Sequence, residues 1–154
     1  MPKDNSSGRI WIESEVLKYE CVGSGWQVRI SDIKVIGEHT DDHGPYVDDY
    51  FFVFLTQRQT YEASFYAEGR DEVLTELSRA LGRQLSCELV RITEFQSRVM
   101  WPADLEGQPL FDFVPKPRSG RVWARFKNAL LPQVEYHLVE AVKRKLRVDS
   151  ERRI

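Results

Sequence analysis

The chain has 154 residues, of which 42% are hydrophobic, 30% are charged and 12% are aromatic. A chain of this length usually forms one domain and buries enough surface to fold without disulfides or metals. Its longest unbroken apolar stretch, residues 50–55, is far shorter than the ~20 residues of a membrane-spanning helix. We therefore expect a soluble cytoplasmic protein with a disordered tail over residues 1–8 and a single domain over 9–154.

Two cysteines and an uneven charge distribution complete the composition. Cys21 and Cys87 both lie in apolar runs, which is typical of buried, unpaired cysteines. Residues 1–114 hold 11 Lys and Arg against 20 Asp and Glu, whereas residues 115–154 hold 11 against 4. This asymmetry indicates either a basic surface for an anionic partner or a C-terminal helix that lies against an acidic body, and we favour the second.

Alternation of apolar and polar residues predicts strands along the first half of the chain. Residues 9–13, 17–21 and 26–30 alternate, and Gly23-Ser24-Gly25 supplies a hairpin turn. The alternation slips by one residue at Ser31-Asp32, which predicts a bulge or a bend. Residues 50–55 are apolar on both faces, as in a central strand, and residues 60–67 alternate as its half-buried antiparallel neighbour.

The period then changes to that of a helix. Val73, Leu74, Leu77 and Leu81 fall on one helical face, acidic residues occupy the first turn, and Gly82 ends the element. Further strands are predicted over Cys87–Ile92 and Leu110–Val114.

The last forty residues have a helical period. Val134, Leu138, Val142 and Leu146 follow at intervals of four, and Pro132 either kinks one helix or begins a second, which is the interpretation we prefer. Strands that precede helices indicate the α+β class. The expected fold is an antiparallel β-meander of about five strands packed by a helix, with a helical C-terminal segment.

The acidic loop 38–49 is the first candidate site. His39, Asp41, His43, Asp48 and Asp49 supply the imidazole nitrogens and carboxylate oxygens that divalent metals prefer. Their spacing matches neither an EF-hand nor a His-Glu-x-x-His helix, so a polar loop rich in turn formers is the alternative. If a metal were held there, it would activate water for hydrolysis.

The basic and aromatic stretch 116–127 is the second candidate. Arg118, Arg121 and Arg125 would neutralise phosphates, and aromatic residues beside them would stack on unpaired bases. The alternative is a helix with a basic polar face and aromatic residues in the core.

Three functions remain open from the sequence. The first is a non-catalytic protein-binding module of the accessory or immunity-protein kind found in bacteria, with Tyr46, Tyr66 and Trp101 as interface aromatics. The others are a metal-dependent hydrolase at the acidic loop and a single-stranded nucleic-acid binder at residues 116–127. No cofactor motif is present, and we expect the partner to be another protein or a second copy of this chain.

Overall fold

The computed structural model describes residues 7–41, 48–90, 95–115 and 134–151. All neighbouring strands within its sheets are antiparallel. The elements are β1 (Arg9–Glu13), β2 (Val16–Cys21), β3 (Ser24–Arg29), a 3-10 turn (Ile30–Asp32), β4 (Val35–Thr40), β5 (Tyr50–Leu55), β6 (Thr60–Ser64), α1 (Arg70–Leu81), β7 (Gln96–Trp101), β8 (Phe111–Pro115), β9 (Val134–Leu138) and α2 (Glu140–Glu151).

The strands divide into a three-stranded sheet in the order β1-β2-β3 and a four-stranded sheet in the order β6-β5-β4-β7, while β8 and β9 form a separate pair. The 3-10 turn between β3 and β4 lies where the alternation slips, so the predicted bend is confirmed and marks the passage from one sheet to the next. The α+β class, the antiparallel strands and the C-terminal helix are confirmed. No helix in the described ranges is long and apolar enough to cross a membrane.

The four-stranded sheet is buried on both faces, which explains the apolar run of β5. One face packs against the three-stranded sheet and α1; its buried residues include Leu17, Val28, Phe52, Phe54 and Leu77. The other face packs against residues of 105–111 and α2; its buried residues include Val35, Val53, Val99, Leu110 and Val142. Residues that alternate along β5 therefore enter two different cores.

Two sequence predictions of secondary structure are wrong. The described part of the predicted strand Cys87–Ile92, up to Val90, is not a strand, because the backbone N–H groups of Glu88 and Leu89 donate to the Glu38 carboxylate instead of to a neighbouring strand. Val134–Leu138 is a strand rather than a helix, since it pairs with β8 and α2 begins only at Glu140. Its sequence also alternates with period two, a pattern that the four-residue spacing concealed.

The N-terminal segment makes backbone contacts with the fold from Ser7 onward. Residues 1–6 of the predicted tail lie outside the described residues, but the Tyr19 hydroxyl donates to the Ser7 carbonyl at 2.8 Å and the Glu68 N–H donates to the Gly8 carbonyl at 3.0 Å. The region around Pro132 also lies outside the described residues.

Helix α1 is flanked by two glycines with left-handed backbone conformations, Gly69 before its first residue and Gly82 after its last. Val73 and Leu77 are buried on its inner face, as the spacing predicts. Gly69 has a φ of +91° and Gly82 a φ of +69°. A Cβ added to Gly69 would lie inside van der Waals distance of the Ile10 carbonyl oxygen, whereas one added to Gly82 would meet nothing within 4 Å. Gly69 therefore permits both the turn and the close approach of α1 to β1.

We expect Gly69→Ala to destabilise the fold by more than Gly82→Ala. Both variants place a side chain in the left-handed region at a cost of ~1–2 kcal/mol. Gly69→Ala also forces a methyl group against a backbone oxygen, which adds ~1–3 kcal/mol. Urea unfolding of both variants measures the difference, and equal losses of unfolding free energy would contradict the close contact between α1 and β1.

Candidate binding site

The predicted acidic cluster is divided by the sheet. His39 belongs to β4 rather than to a loop, where it stacks on Phe51 across the strand pair, with ring centroids 5.2 Å apart, and contacts the Glu62 carboxylate at 3.0 Å. Asp41 is buried at the end of β4, and His43 lies outside the described residues. The described residues contain no group of three or more His, Cys, Asp or Glu able to hold a metal ion.

Asp48 and Asp49 connect chain segments. Asp48 accepts hydrogen bonds from the Ser7 hydroxyl at 3.0 Å and the Ser64 hydroxyl at 2.6 Å. Asp49 accepts one from the Tyr66 hydroxyl at 2.7 Å. Burial, followed by the hydrogen bond to Asp49, raises the pKa of Tyr66 to about 12. The two carboxylates thus tie the entrance of β5 to the N-terminal segment and to the residues that follow β6.

Glu38 is the most deeply buried ionisable side chain of this region. Its Oε2 accepts from the Tyr50 hydroxyl at 2.7 Å, and its Oε1 accepts from the backbone N–H groups of Glu88 and Leu89 at 2.9 and 3.2 Å. Arg98 Nη1 approaches the same oxygen at 3.5 Å. This network fixes residues 85–89 on the sheet without strand pairing, so it has a structural role.

The pKa values of Glu38 and of the nearby Cys87 are shifted in this network. Burial raises the pKa of the Glu38 carboxyl above its usual range, against the lowering effects of the Tyr50 hydroxyl, the backbone donors and Arg98. Burial, followed by the nearby Glu38 charge, raises the pKa of the Cys87 thiol to about 11. Cys21 and Cys87 are both free and partly buried. A thiol with so high a pKa is a weak nucleophile at neutral pH.

The predicted interface residues are scattered. Tyr66 is 51% exposed, whereas Trp101 is partly buried against the core that the four-stranded sheet forms with the three-stranded sheet and α1. Tyr46, Arg118, Arg121 and Arg125 lie outside the described residues.

A cleft of about 1060 Å³ lies between the two sheets. One wall is formed by the end of β3 and the 3-10 turn, and the other by the β5–β6 turn (residues 56–59) and Tyr61 of β6. Both β3 and β6 are edge strands of their sheets. The Trp26 indole N–H joins the two edges by donating to the Glu62 carbonyl at 2.9 Å.

Three cations line this cleft, which we call the basic cleft. They are Arg29 at the end of β3, Lys34 before β4 and Arg58 in the β5–β6 turn, and Asp32 is the one carboxylate that the structure places in the lining. None of the three cations makes an ion pair with another described residue. The lining therefore carries a net positive charge.

The turn that forms one wall is held by its own hydrogen bonds. Thr56 Oγ1 accepts from the backbone N–H groups of Arg58 and Gln59 at 3.3 and 3.0 Å, and the Thr56 N–H donates to the Gln59 carbonyl at 3.0 Å. The side-chain nitrogen of Gln57 is buried and has no hydrogen-bond partner among the described residues. Arg58 thus lies on a wall that is fixed by hydrogen bonds.

Sequence reasoning missed the basic cleft because its residues form no motif. Arg29, Lys34 and Arg58 are separated along the chain and meet only because two sheets pack together. One local signal was present: Thr56 followed by three polar residues between two strands is typical of a tight turn that presents its side chains.

The raised pKa of Glu38 predicts a pH-dependent stability. A carboxyl that binds its proton more tightly in the folded state stabilises the fold most below the unfolded pKa of about 4.3, and this stabilisation is lost as the pH rises through the folded pKa. We expect the wild type to lose stability relative to Glu38→Gln over this range. Urea unfolding at several pH values measures it, with Glu76→Gln on exposed α1 surface as the control. A gain of wild-type stability with rising pH would show that Arg98 and the backbone donors outweigh burial.

Comparisons with protein-family models, with curated proteins and with solved structures find no match for this chain.

Proposed function

We propose that this chain is a non-catalytic protein-binding module that receives its partner in the basic cleft. The proposal depends on one observation, which is that three cations without ion-pair partners among the described residues surround an open cleft between two edge strands.

The distribution of paired and unpaired cations supports a binding role. Six described cations outside the cleft have a carboxylate within 4.0 Å, in the pairs Lys18–Glu13, Arg70–Asp71, Arg83–Glu106, Arg98–Glu88, Lys145–Asp104 and Arg147–Glu140. Arg9, Arg79, Lys143 and Arg144 have no ion pair with a described residue either, so the cleft differs in that three unpaired cations line one concave surface. Asp32 and Lys34 both line the cleft, yet the two form no ion pair. A concave surface with uncompensated positive charge attracts anionic partners and increases their rate of association.

The size and stiffness of the cleft also suit a ligand. A volume of about 1060 Å³ lies just above the ~300–1,000 Å³ range of small-molecule pockets, so a short polypeptide segment has room. Because the β5–β6 turn is fixed by hydrogen bonds to Thr56, little conformational entropy is lost when a partner binds.

The roles of the acidic residues favour binding over metal-dependent hydrolysis. Asp48 and Asp49 accept hydrogen bonds from Ser7, Ser64 and Tyr66, and Glu38 holds residues 85–89. These carboxylates connect segments of the fold, whereas the basic cleft is open to solvent.

Affinity capture from a lysate of the source cells, treated with nuclease, tests the proposal. We expect Arg29→Ala/Arg58→Ala to retain at least ~2-fold less partner protein than the wild type, since each exposed ion pair contributes ~0.2–1 kcal/mol. The matched control is Arg79→Ala/Arg144→Ala, which removes the same charge from exposed positions on α1 and α2. Retention that is equal for the cleft variant and the wild type, or no retained protein at all, would contradict the proposal.

A further inference from the structure

We infer that the partner enters the basic cleft as an extended acidic segment that adds a strand to the free edge of β3. This inference rests on the proposed function and names the chemistry of the ligand.

The hydrogen-bond register identifies the free groups of β3. Cys21 and Ser24 flank a two-residue turn and so form the hydrogen-bonded closing pair of the β2–β3 hairpin. Because hydrogen-bonded and non-hydrogen-bonded pairs alternate along an antiparallel ladder, Gly25, Gln27 and Arg29 direct their backbone N–H and C=O groups away from β2. No backbone hydrogen bond outside helices and strands of the described ranges involves Gly25 or Gln27. Arg29 is the N-cap of the 3-10 turn, so its carbonyl serves that turn and its N–H is the group left for a partner.

Two of these residues face the cleft. Gln27 and Arg29 both line it, whereas Gly25 lies toward the Trp26–Glu62 junction that closes one end. An exposed strand edge is a template for an additional strand, and the backbone hydrogen bonds of such a strand supply affinity without any particular sequence. The cleft therefore offers a backbone template as well as positive charge.

The charges specify which strand fits. A segment paired with Gln27 and Arg29 would lie between β3 and the β5–β6 turn, with Arg29 on one side and Arg58 on the other. Carboxylates on the segment would pair with these cations and with Lys34.

A nucleic-acid strand fits these features less well. Its phosphates would neutralise the cations but would not pair with the backbone of a strand edge. Tyr61 is the one aromatic side chain that the structure places in the lining, and its ring already packs on Trp26 with centroids 5.1 Å apart. Stacking platforms for unpaired bases require free aromatic faces.

The test uses the full chain labelled with ¹⁵N and a capped peptide of alternating glutamate and valine, about six residues long like a typical strand. Measurements at low ionic strength, ~10 mM salt, extend the Debye length to about 30 Å and favour charge pairing. We expect the peptide to shift the amide resonances of Gln27, Arg29 and Arg58 and to lose affinity as salt is added.

Two matched peptides separate strand addition from simple charge attraction. The same peptide methylated on alternate backbone nitrogens keeps its charge but loses hydrogen-bond donors, and we expect it to bind roughly tenfold more weakly. A peptide with lysine in place of glutamate should not bind. In the protein, Arg29→Ala/Arg58→Ala should weaken binding by at least ~2-fold, whereas Arg79→Ala/Arg144→Ala should not change it.

Three results would overturn the inference. They are the absence of shifts in the cleft, equal binding of the methylated and unmethylated peptides, and tighter binding of an oligothymidylate at the same amides. None of these three results would contradict the proposed function, which the capture experiment tests separately. A partner protein could still depend on Arg29 and Arg58 through a folded acidic surface.

Discussion

The contact of Trp26 with the four-stranded sheet determines how the two sheets of this protein meet. Its ring lies 5.6 Å from Tyr19 on its own sheet and 5.7 and 5.1 Å from Phe54 and Tyr61 on the other. Its indole N–H donates to the carbonyl of Glu62, so the junction has a hydrogen bond as well as apolar contact. Aromatic pairs at such centroid distances contribute beyond the area that they bury. The edges of β3 and β6 are held together at this point, and the basic cleft lies beside it.

The other face of the four-stranded sheet shows why its strands cannot shift. β5 places alternate residues in two cores, so a slip of one residue would exchange Phe52 and Phe54 for Val53 and Leu55. Glu38 adds a polar constraint, because its carboxylate holds the backbone of Glu88 and Leu89 and would lose these bonds in any other register. A buried carboxylate with several donors specifies one arrangement. The wall that carries Arg58 is attached to this fixed sheet.

Local patterns predicted the elements whose contacts are local. Four apolar residues and Gly82 predicted helix α1, and alternation predicted the β2–β3 hairpin. The predicted turn Gly23-Ser24-Gly25 is wrong, because Ser24 and Gly25 belong to β3 and the turn is Val22-Gly23. The strand Val134–Leu138 was not predicted, because residues four apart lie on one face in a helix and also in a strand. The pairing with β8 that decides between the two is not visible in the sequence. The irregular segment at Glu88 was missed for a related reason, since its hydrogen bonds end on Glu38, fifty residues earlier. The same limit applies to the basic cleft, whose cations come from three separate segments.

The position of the cations also bears on which strands β3 would accept. Proteins commonly protect an edge strand with charges on the strand itself, and Arg29 fits that description. Lys34 and Arg58 do not fit it, because they lie outside β3. Lys34 follows the 3-10 turn after β3, and Arg58 lies on the opposite wall of the cleft. If two copies of this chain paired through β3, each would bring its own three cations to the contact, and their repulsion would oppose the pairing. The same charges would attract an acidic strand, so a single arrangement would both disfavour self-association through β3 and favour the partner that we propose.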